Sequence, residues 1–259
     1  MLQVLLTKNE DQNDASSTQN EPLSKSIVTL NVPIESSDYL GENMTKTKPL
    51  PLWAVLLTLI LFSLQYFSTT PPGAKGLDTP EDQFSGVRAY NILKSLLKEN
   101  MPHPVGSKLN RAIKERLKSE LDKLDINYEE QKTWACSSRF VSCAEVENLI
   151  AIIPGKTDSP YLALMAHYDS VPMSSGAGDD GAGVVAILET ARALKLEAPF
   201  SHPIVLILTD GEESGLIGAE AFFGQHPLAK EIGVVLNVEG SGSAGSSMVL
   251  RTSVNNELL

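Results

Sequence analysis

The stretch YLALMAHYDSVPMSSGAGDDGAGVVAILETARALKL, residues 161–196, decides the fold. It begins with a short apolar run typical of a buried strand and ends with apolar residues at helical spacing. Between the two lie one histidine, three aspartates and many small residues. A solvent-exposed loop would explain polar residues here, but not these particular residue types. A buried strand, a glycine-rich polar loop and a helix in this order predict one unit of an α/β sheet.

The same alternation continues towards the C-terminus. PIVLILT (203–209) and IGVVLNVEG (232–240) predict two further buried strands, with a helix between them at GLIGAEAFFGQH (215–226). Two amphipathic helices and two strands are predicted upstream, at residues 82–100, 107–124, 126–134 and 146–155. We therefore expect an α/β fold with three α/β/α layers around a mainly parallel mixed sheet.

Three segments precede this domain, which we expect to occupy residues 85–259. Residues 1–49 are polar and without periodicity, which predicts a flexible tail. Residues 50–68 carry no charge and have aromatic residues near both ends, which predicts one transmembrane helix; a buried core helix is the alternative. The proline and glycine residues of residues 69–84 indicate a linker.

Charge and cysteine content bear on location. Lys46 and Lys48 precede the apolar segment and Lys75 is the one nearby base after it, a bias that favours a cytoplasmic N-terminus and an extracytoplasmic domain. Cys136 and Cys143 are too widely spaced for a CxxC pair, so either a disulfide or two free thiols fits, and an extracytoplasmic domain favours the disulfide.

The net charge excludes one class of partner. It is formally -11, and no basic cluster occurs along the chain, which argues against nucleic-acid binding. An acidic surface is compatible with cationic ligands such as peptide amino termini.

Chemistry concentrates at the predicted strand ends. Ends of parallel strands meet at one sheet edge, where α/β proteins bind ligands. The residues delivered there are His167, Asp169, Asp179, Asp180, Asp210, Glu212, Glu213 and Glu239. Crowded carboxylates raise one another's pKa, and divalent cations relieve the conflict; histidine with carboxylates is a zinc ligand set.

Each piece also has a structural interpretation. Asp179 and Asp180 could form a helix N-cap, Glu212 and Glu213 a solvated loop, and His167 a satisfied core histidine. Asp210 fits turn chemistry beside Gly211. The convergence of all these residues at successive strand ends favours a metal site over independent structural roles.

Four motifs carry a family resemblance: HYDS (167–170), GAGDDGAG (176–183), TDGEESGLIGA (209–219) and LNVEG (236–240). In this order and spacing they resemble the M28 family of zinc aminopeptidases. With an apolar segment ahead of the domain, the chain is most similar to membrane-anchored members of the vacuolar or endoplasmic-reticulum type, or to bacterial relatives.

The resemblance implies roles for six residues. His167 and Glu239 would bind one zinc ion, Glu213 would bind a second, and Asp179 would bridge the two. Asp169 would fix the imidazole tautomer of His167. Glu212 would be the general base, taking a proton from the attacking water.

The resemblance also implies a substrate and a location. The substrate would be a peptide with a free N-terminus, and the domain would lie in a vacuole, the endoplasmic reticulum lumen or a periplasm. The family pattern needs a further histidine downstream, and no histidine follows His226. We therefore expect a C-terminally truncated fragment with an incomplete second metal site and poor activity; a shortened form with a weakened site is the alternative. The alternatives are a non-catalytic module of the same fold and an acyltransferase like glutaminyl cyclase, which works with one zinc ion.

Overall fold

A computed structural model describes residues 51–240. The predicted tail at residues 1–49 and the part of the predicted domain after Gly240 lie outside the described residues. The helices and strands are α1 (Leu52–Thr69), α2 (Gly86–Leu96), α3 (Lys108–Lys123), β1 (Tyr128–Cys136), β2 (Cys143–Ile153), β3 (Tyr161–His167), α4 (Ala182–Glu197), β4 (Ile204–Thr209), α5 (Ile217–Gln225) and β5 (Ile232–Asn237). A short irregular turn, Ala177–Gly181, leads into α4, and a 3-10 turn, Pro227–Glu231, leads into β5.

The five strands form one mixed sheet in the order β1-β2-β4-β3-β5. The hairpin β1-β2 and the pair β2-β4 are antiparallel, whereas β3 runs parallel to both β4 and β5. The predicted mixed α/β sheet is confirmed, and its parallel part is the part that carries the motifs. Because β3 pairs His167 with Thr209 of β4, the ends of these two strands lie side by side.

Helices cover both faces of the sheet, as the three-layer prediction requires. On one face, α2, α3 and α4 pack with Leu149, Leu164 and Leu206 in the larger core. On the other face, Phe222 of α5 packs with Val205 and Ile207. Every residue of β4 is buried, which explains its unbroken apolar sequence.

Helix α1 is the predicted apolar segment. It has 18 residues with a mean hydropathy of 1.7, and none of its residues is buried. An 18-residue apolar helix is about long enough to cross the hydrocarbon core of a membrane, which is roughly 30 Å thick.

The second half of the predicted linker is anchored to the domain. Ser85 donates its backbone N–H to Glu189 of α4, and Arg88 Nε donates to the same carboxylate. Arg88 also donates to the carbonyl groups of Thr79 and Gln83. Residues 79–85 therefore follow the surface of α4 because buried Glu189 and its arginine partners hold them there.

Candidate metal centre

His167 is the last residue of β3, and its side chain is only 2% exposed. It is accompanied at this sheet edge by Glu212 and Glu213, which follow β4, and by Glu239, which follows β5. Asp179 reaches the same point from the turn between β3 and α4. The topology thus brings together residues that lie up to 72 positions apart in sequence, from His167 to Glu239.

The side chains converge on the imidazole of His167. Its Nε2 atom lies 3.0 Å from Asp179 Oδ1, 3.4 Å from Glu239 Oε1 and 3.9 Å from Glu212 Oε2. Ligand atoms of His167, Asp179 and Glu213 all lie within 4.8 Å of one another. The four residues predicted as metal ligands therefore share one cluster, with the predicted base Glu212 at its side.

Asp169 connects the histidine to the loop that carries the two glutamates. Its Oδ1 lies 3.4 Å from His167 Nδ1, and its backbone carbonyl lies 3.1 Å from the same nitrogen. The two carboxylate oxygens accept the backbone N–H groups of Glu212 at 2.9 Å and Glu213 at 3.2 Å. One buried carboxylate therefore positions the imidazole and both glutamates together.

Asp180 has a role that the sequence interpretation did not assign to it. Its carboxylate accepts the backbone N–H of His167 at 3.2 Å and that of Gly183, at the start of α4, also at 3.2 Å. Asp180 also falls within 4.8 Å of ligand atoms of His167 and Glu239. Because both of its oxygens already accept main-chain donors, Asp180 fits a residue that ties β3 to α4 better than it fits a ligand. Asp180 thus supports the start of α4 from the position before its N-cap, Gly181, while Asp179 faces the histidine.

Asp210 does not have the turn role predicted for it. Its side chain is buried, accepts from Asn110 of α3 at 3.1 Å and accepts from the backbone N–H of Glu147 at 3.2 Å. Asp210 therefore links α3, β2 and the end of β4 beneath the cluster. The partner in α3 is a hundred residues away, so no local pattern could have identified it.

The electrostatics reflect crowded carboxylates in a partly buried place. Burial raises the pKa of Asp180 to about 8 and that of Glu212 to about 7, and nearby Glu239 adds to both shifts. Burial opposes protonation of His167, but hydrogen bonds to Asp169 and Glu239 outweigh it and raise its pKa to about 11. Among residues 51–240, His167 is the basic side chain that forms ion pairs with Asp179, Glu212 and Glu239.

The donor set fits zinc. Imidazole nitrogen and carboxylate oxygen are its common ligands in hydrolytic sites, and a divalent cation would balance the carboxylates whose charge burial disfavours. Asp169 supplies the carboxylate partner that zinc-binding histidines commonly have on the other ring nitrogen. Of the other histidines, buried His103 contacts Ser170, and His202 is exposed.

Cys136 and Cys143 form a disulfide that closes the tip of the β1-β2 hairpin. The sequence allowed either a disulfide or two free thiols, and the structure has the disulfide.

Comparisons with known proteins agree with this architecture. Residues 148–258 match the profile of Peptidase family M28. A vacuolar membrane protease of Candida albicans is 36% identical over 152 residues, which cover 58% of this chain and 18% of the relative. The fold is similar to a Zn-dependent exopeptidase from Parabacteroides distasonis (TM-score 0.53, 22% identity, 64% of each chain covered). It is also similar to an Acidobacteriales bacterium glutaminyl cyclase (TM-score 0.53, 23% identity, 65% of this chain and 62% of that one).

The chain spans about a fifth of the length of the curated relatives it matches. The matched region includes β3, β4, β5 and every residue of the predicted metal cluster. Residues 148–258, which carry the whole cluster, are therefore similar to Peptidase family M28.

Proposed function

We propose that this chain carries the catalytic core of a zinc-dependent aminopeptidase that hydrolyses the N-terminal bond of peptides. The proposal rests on one observation: His167, Asp179, Glu213 and Glu239 converge at a single sheet edge, and Glu212 lies beside them. His167 and Glu239 would hold one zinc ion, Glu213 a second, and Asp179 would bridge them. The family match of residues 148–258 supports the peptidase class.

Zinc ions held there would acidify water and polarise the scissile carbonyl group. Glu212 would accept the proton of the attacking water and pass it to the leaving amine. In the metal-free site, burial raises the pKa of Glu212 to about 7. Zinc bound beside it would lower that pKa again, so Glu212 would be ionised and able to accept the proton near neutral pH. Asp169 holds the backbone of Glu212 and the Nδ1 side of His167, so the base and the imidazole keep a fixed relative position.

Four carboxylates near the imidazole also create a negative region at the substrate side. A peptide with a free, protonated amino terminus matches that charge, and it supplies the ground for an exopeptidase that acts at the N-terminus. Asp179 and Glu239 are the more exposed members, at 54% and 35%. They therefore form the part of this negative region that faces the solvent from which a peptide would approach.

Helix α1 would anchor the domain in a membrane, with the N-terminus in the cytoplasm and residues 85–259 outside it. The length and composition of α1 support the anchor, and the names of the curated relatives support a vacuolar membrane. The Cys136–Cys143 disulfide supports an oxidising compartment. Protease accessibility of the domain in sealed vesicles tests this orientation, because a cytoplasmic domain would be digested without detergent.

The enzymatic test uses the full chain in detergent, assayed for zinc content and for cleavage of aminoacyl chromogenic substrates. We expect Glu212→Gln to keep its zinc and to lose activity by about 10²- to 10⁴-fold, the usual contribution of a general base. Glu197→Gln makes the same chemical change at an exposed position at the end of α4 and should retain the activity of the unmodified chain.

Three results would overturn the proposal. Equal activity of Glu212→Gln and the unmodified chain would exclude Glu212 as the base. One zinc ion per chain, together with cyclisation of N-terminal glutamine and no peptide cleavage, would assign the chain to the glutaminyl-cyclase type of chemistry instead. Binding of peptides without turnover in either assay would indicate a non-catalytic module.

A further inference from the structure

The loop that carries Glu212 and Glu213 is contacted from two sides. Asp169 holds it from within by accepting the N–H groups of both glutamates. On its outer side, the disulfide loop (residues 136–143) at the tip of the β1-β2 hairpin contacts it. Asp169 already has a role in the proposed function, whereas the disulfide loop has none so far.

The contact between the two loops occurs at Gly215. A Cβ atom at this position would lie 2.6 Å from Ser137 Oγ and 2.7 Å from Phe140 Cδ2, closer than side chains approach. Gly215 also has a φ of +107°, a conformation that L residues rarely adopt. Its N–H donates to the carbonyl of Glu212 at 2.8 Å. A displacement of Gly215 would therefore also displace the backbone of Glu212.

The disulfide loop is itself well fixed. Ser137 Oγ accepts the backbone N–H groups of Arg139 at 3.0 Å and Phe140 at 3.2 Å. Ser138 donates its N–H and its hydroxyl to the Glu220 carboxylate of α5, at 2.8 and 2.6 Å. The tip of the hairpin is thereby hydrogen-bonded to the first turn of α5, the helix that follows the glutamate loop.

A small apolar core lies beneath this contact. Ala135 and Val146, from the two hairpin strands, pack with Ile217 and Ala221 of α5. The hairpin tip is therefore fastened to both ends of residues 211–217, through Val146 beside Gly211 and through α5 beyond Gly215.

We propose that the disulfide loop is a positioning element of the metal site, which sets the backbone of Glu212 and Glu213 through its contact with Gly215. This inference rests on the proposed function for its effect on turnover. Opening the Cys136–Cys143 bond releases Ser137 and Phe140 from Gly215, so the glutamate loop gains freedom while the sheet beneath it stays closed. Phe140 and Ser137 act through the loop and do not need to touch substrate.

The test compares the double variant Cys136→Ala/Cys143→Ala with the unmodified full chain in detergent. The first readout is hydrogen exchange at the amides of Glu212 and Glu213, with the β4 amides as the internal reference. We expect about tenfold faster exchange at the two glutamates, unchanged exchange in β4 and weaker zinc binding by equilibrium dialysis. Turnover should show a kcat lowered about tenfold or more with KM nearly unchanged, because the base is displaced and the substrate contacts remain.

Two further variants keep the test decisive where the double variant folds poorly. Ser138→Ala removes one hydrogen bond to Glu220 and should give the same pattern more weakly. Gly215→Ala should give it strongly, whereas Gly224→Ala, where a Cβ meets nothing within 4 Å, is the matched control. Val141→Ala is the control within the loop, since that side chain is fully exposed.

Unchanged exchange at Glu212 and Glu213 in the double variant would overturn the inference. So would acceleration at those amides that β4 shares equally, because the disulfide would then only stabilise the whole fold. Should the unmodified chain cleave no peptide, the proposed function fails, but the exchange and zinc measurements still decide whether the loop positions the glutamates.

Discussion

Two clusters of carboxylates are neutralised in different ways, one on α4 and one beside the turn that leads into it. In the arginine-paired cluster, Glu189 of α4 is fully buried and bonded to Arg88 at 2.9 Å and Arg192 at 2.8 Å. In the strand-end cluster, made of His167, Asp179, Glu212, Glu213 and Glu239, one imidazole faces four carboxylates.

The pKa values record the difference. Burial disfavours charge on Glu189, but its hydrogen bonds to Arg192, Ser85 and Arg88 prevail and lower its pKa. Burial raises the pKa of Glu212 to about 7 and also raises the pKa of Glu213. Among residues 51–240, the shared histidine is the one basic side chain that lowers the pKa of Glu213. The arginine-paired cluster is thus neutralised by its own side chains, whereas the strand-end cluster has one imidazole for four carboxylates, and a bound cation would balance the remainder.

The largest expected effect is the loss of zinc affinity when His167 is removed from the strand-end cluster. We expect His167→Ala to lower zinc affinity by more than about hundredfold, because losing a ligand should cost more than losing a ligand's hydrogen-bond partner. Zinc titration against a competing chelator measures this loss. His202→Ala alters an exposed histidine and should bind zinc normally; equal affinity in the two variants would place the metal elsewhere.

The arginine-paired cluster should respond in stability and not in metal binding. We expect Glu189→Gln to lower the free energy of unfolding by about 2–3 kcal/mol, because Arg88 and Arg192 lose their charged acceptor. Chemical denaturation measures it, and zinc affinity should stay within twofold. Glu197→Gln, the exposed change on the same helix, should leave stability unaltered; a loss of zinc in Glu189→Gln alone would show that the clusters are coupled.

The strand-end cluster could be predicted from sequence because its members follow strands that are recognisable by their apolar runs. His167, Glu212 and Glu239 each come within three residues of a strand end, so parallel topology alone brings them together. The arginine-paired cluster could not be predicted in this way. Glu189 is one charge on a helix, and its partner Arg88 lies 101 residues away in another.

Asp210 and Asp180 show the same limit within the site. Asp210 reads locally as a turn residue, yet its partner is Asn110 of α3, which only the packed fold brings near. Residue type does not distinguish Asp179 from Asp180, and only the family resemblance singled out Asp179, which the turn before α4 directs towards His167. The sequence thus predicts which residues lie at strand ends. It does not predict which side chains from different layers of the fold form hydrogen bonds with each other.

The hydrogen-bonding role of Asp169 gives a smaller effect. We expect Asp169→Asn to lower zinc affinity about 10- to 100-fold, since partners of ligating histidines contribute on that scale. The amide keeps the size of the carboxylate but presents one acceptor oxygen to the two N–H groups of Glu212 and Glu213. Competition titration measures it. An affinity equal to that of the unmodified chain would show that Asp169 only supports the loop.

The smallest expected effect is the pH dependence of metal-free stability, to which only the strand-end side of the comparison should contribute between pH 5 and 9. Native Asp180 and Glu212, with pKa values near 8 and 7, hold protons that the unfolded chain releases near pH 4. Native His167, with a pKa of about 11, likewise holds a proton that the unfolded chain loses near pH 6.5. Stability of the metal-free protein should therefore fall as pH rises from 5 to 9.

Zinc should reverse that slope, because its ligands bind it deprotonated and binding releases protons. The lowered pKa of Glu189 places its titration below this window, so the arginine-paired cluster contributes no slope between pH 5 and 9. We expect the rise in melting temperature on adding zinc to be larger at pH 8 than at pH 6 by at least about 2–4 °C, the shift that 1 kcal/mol produces in a domain of this size. Thermal denaturation with and without chelator measures it at both pH values. A zinc-induced rise that is equal at pH 6 and pH 8 would mean that the strand-end carboxylates are already ionised, and the contrast between the two clusters would not hold.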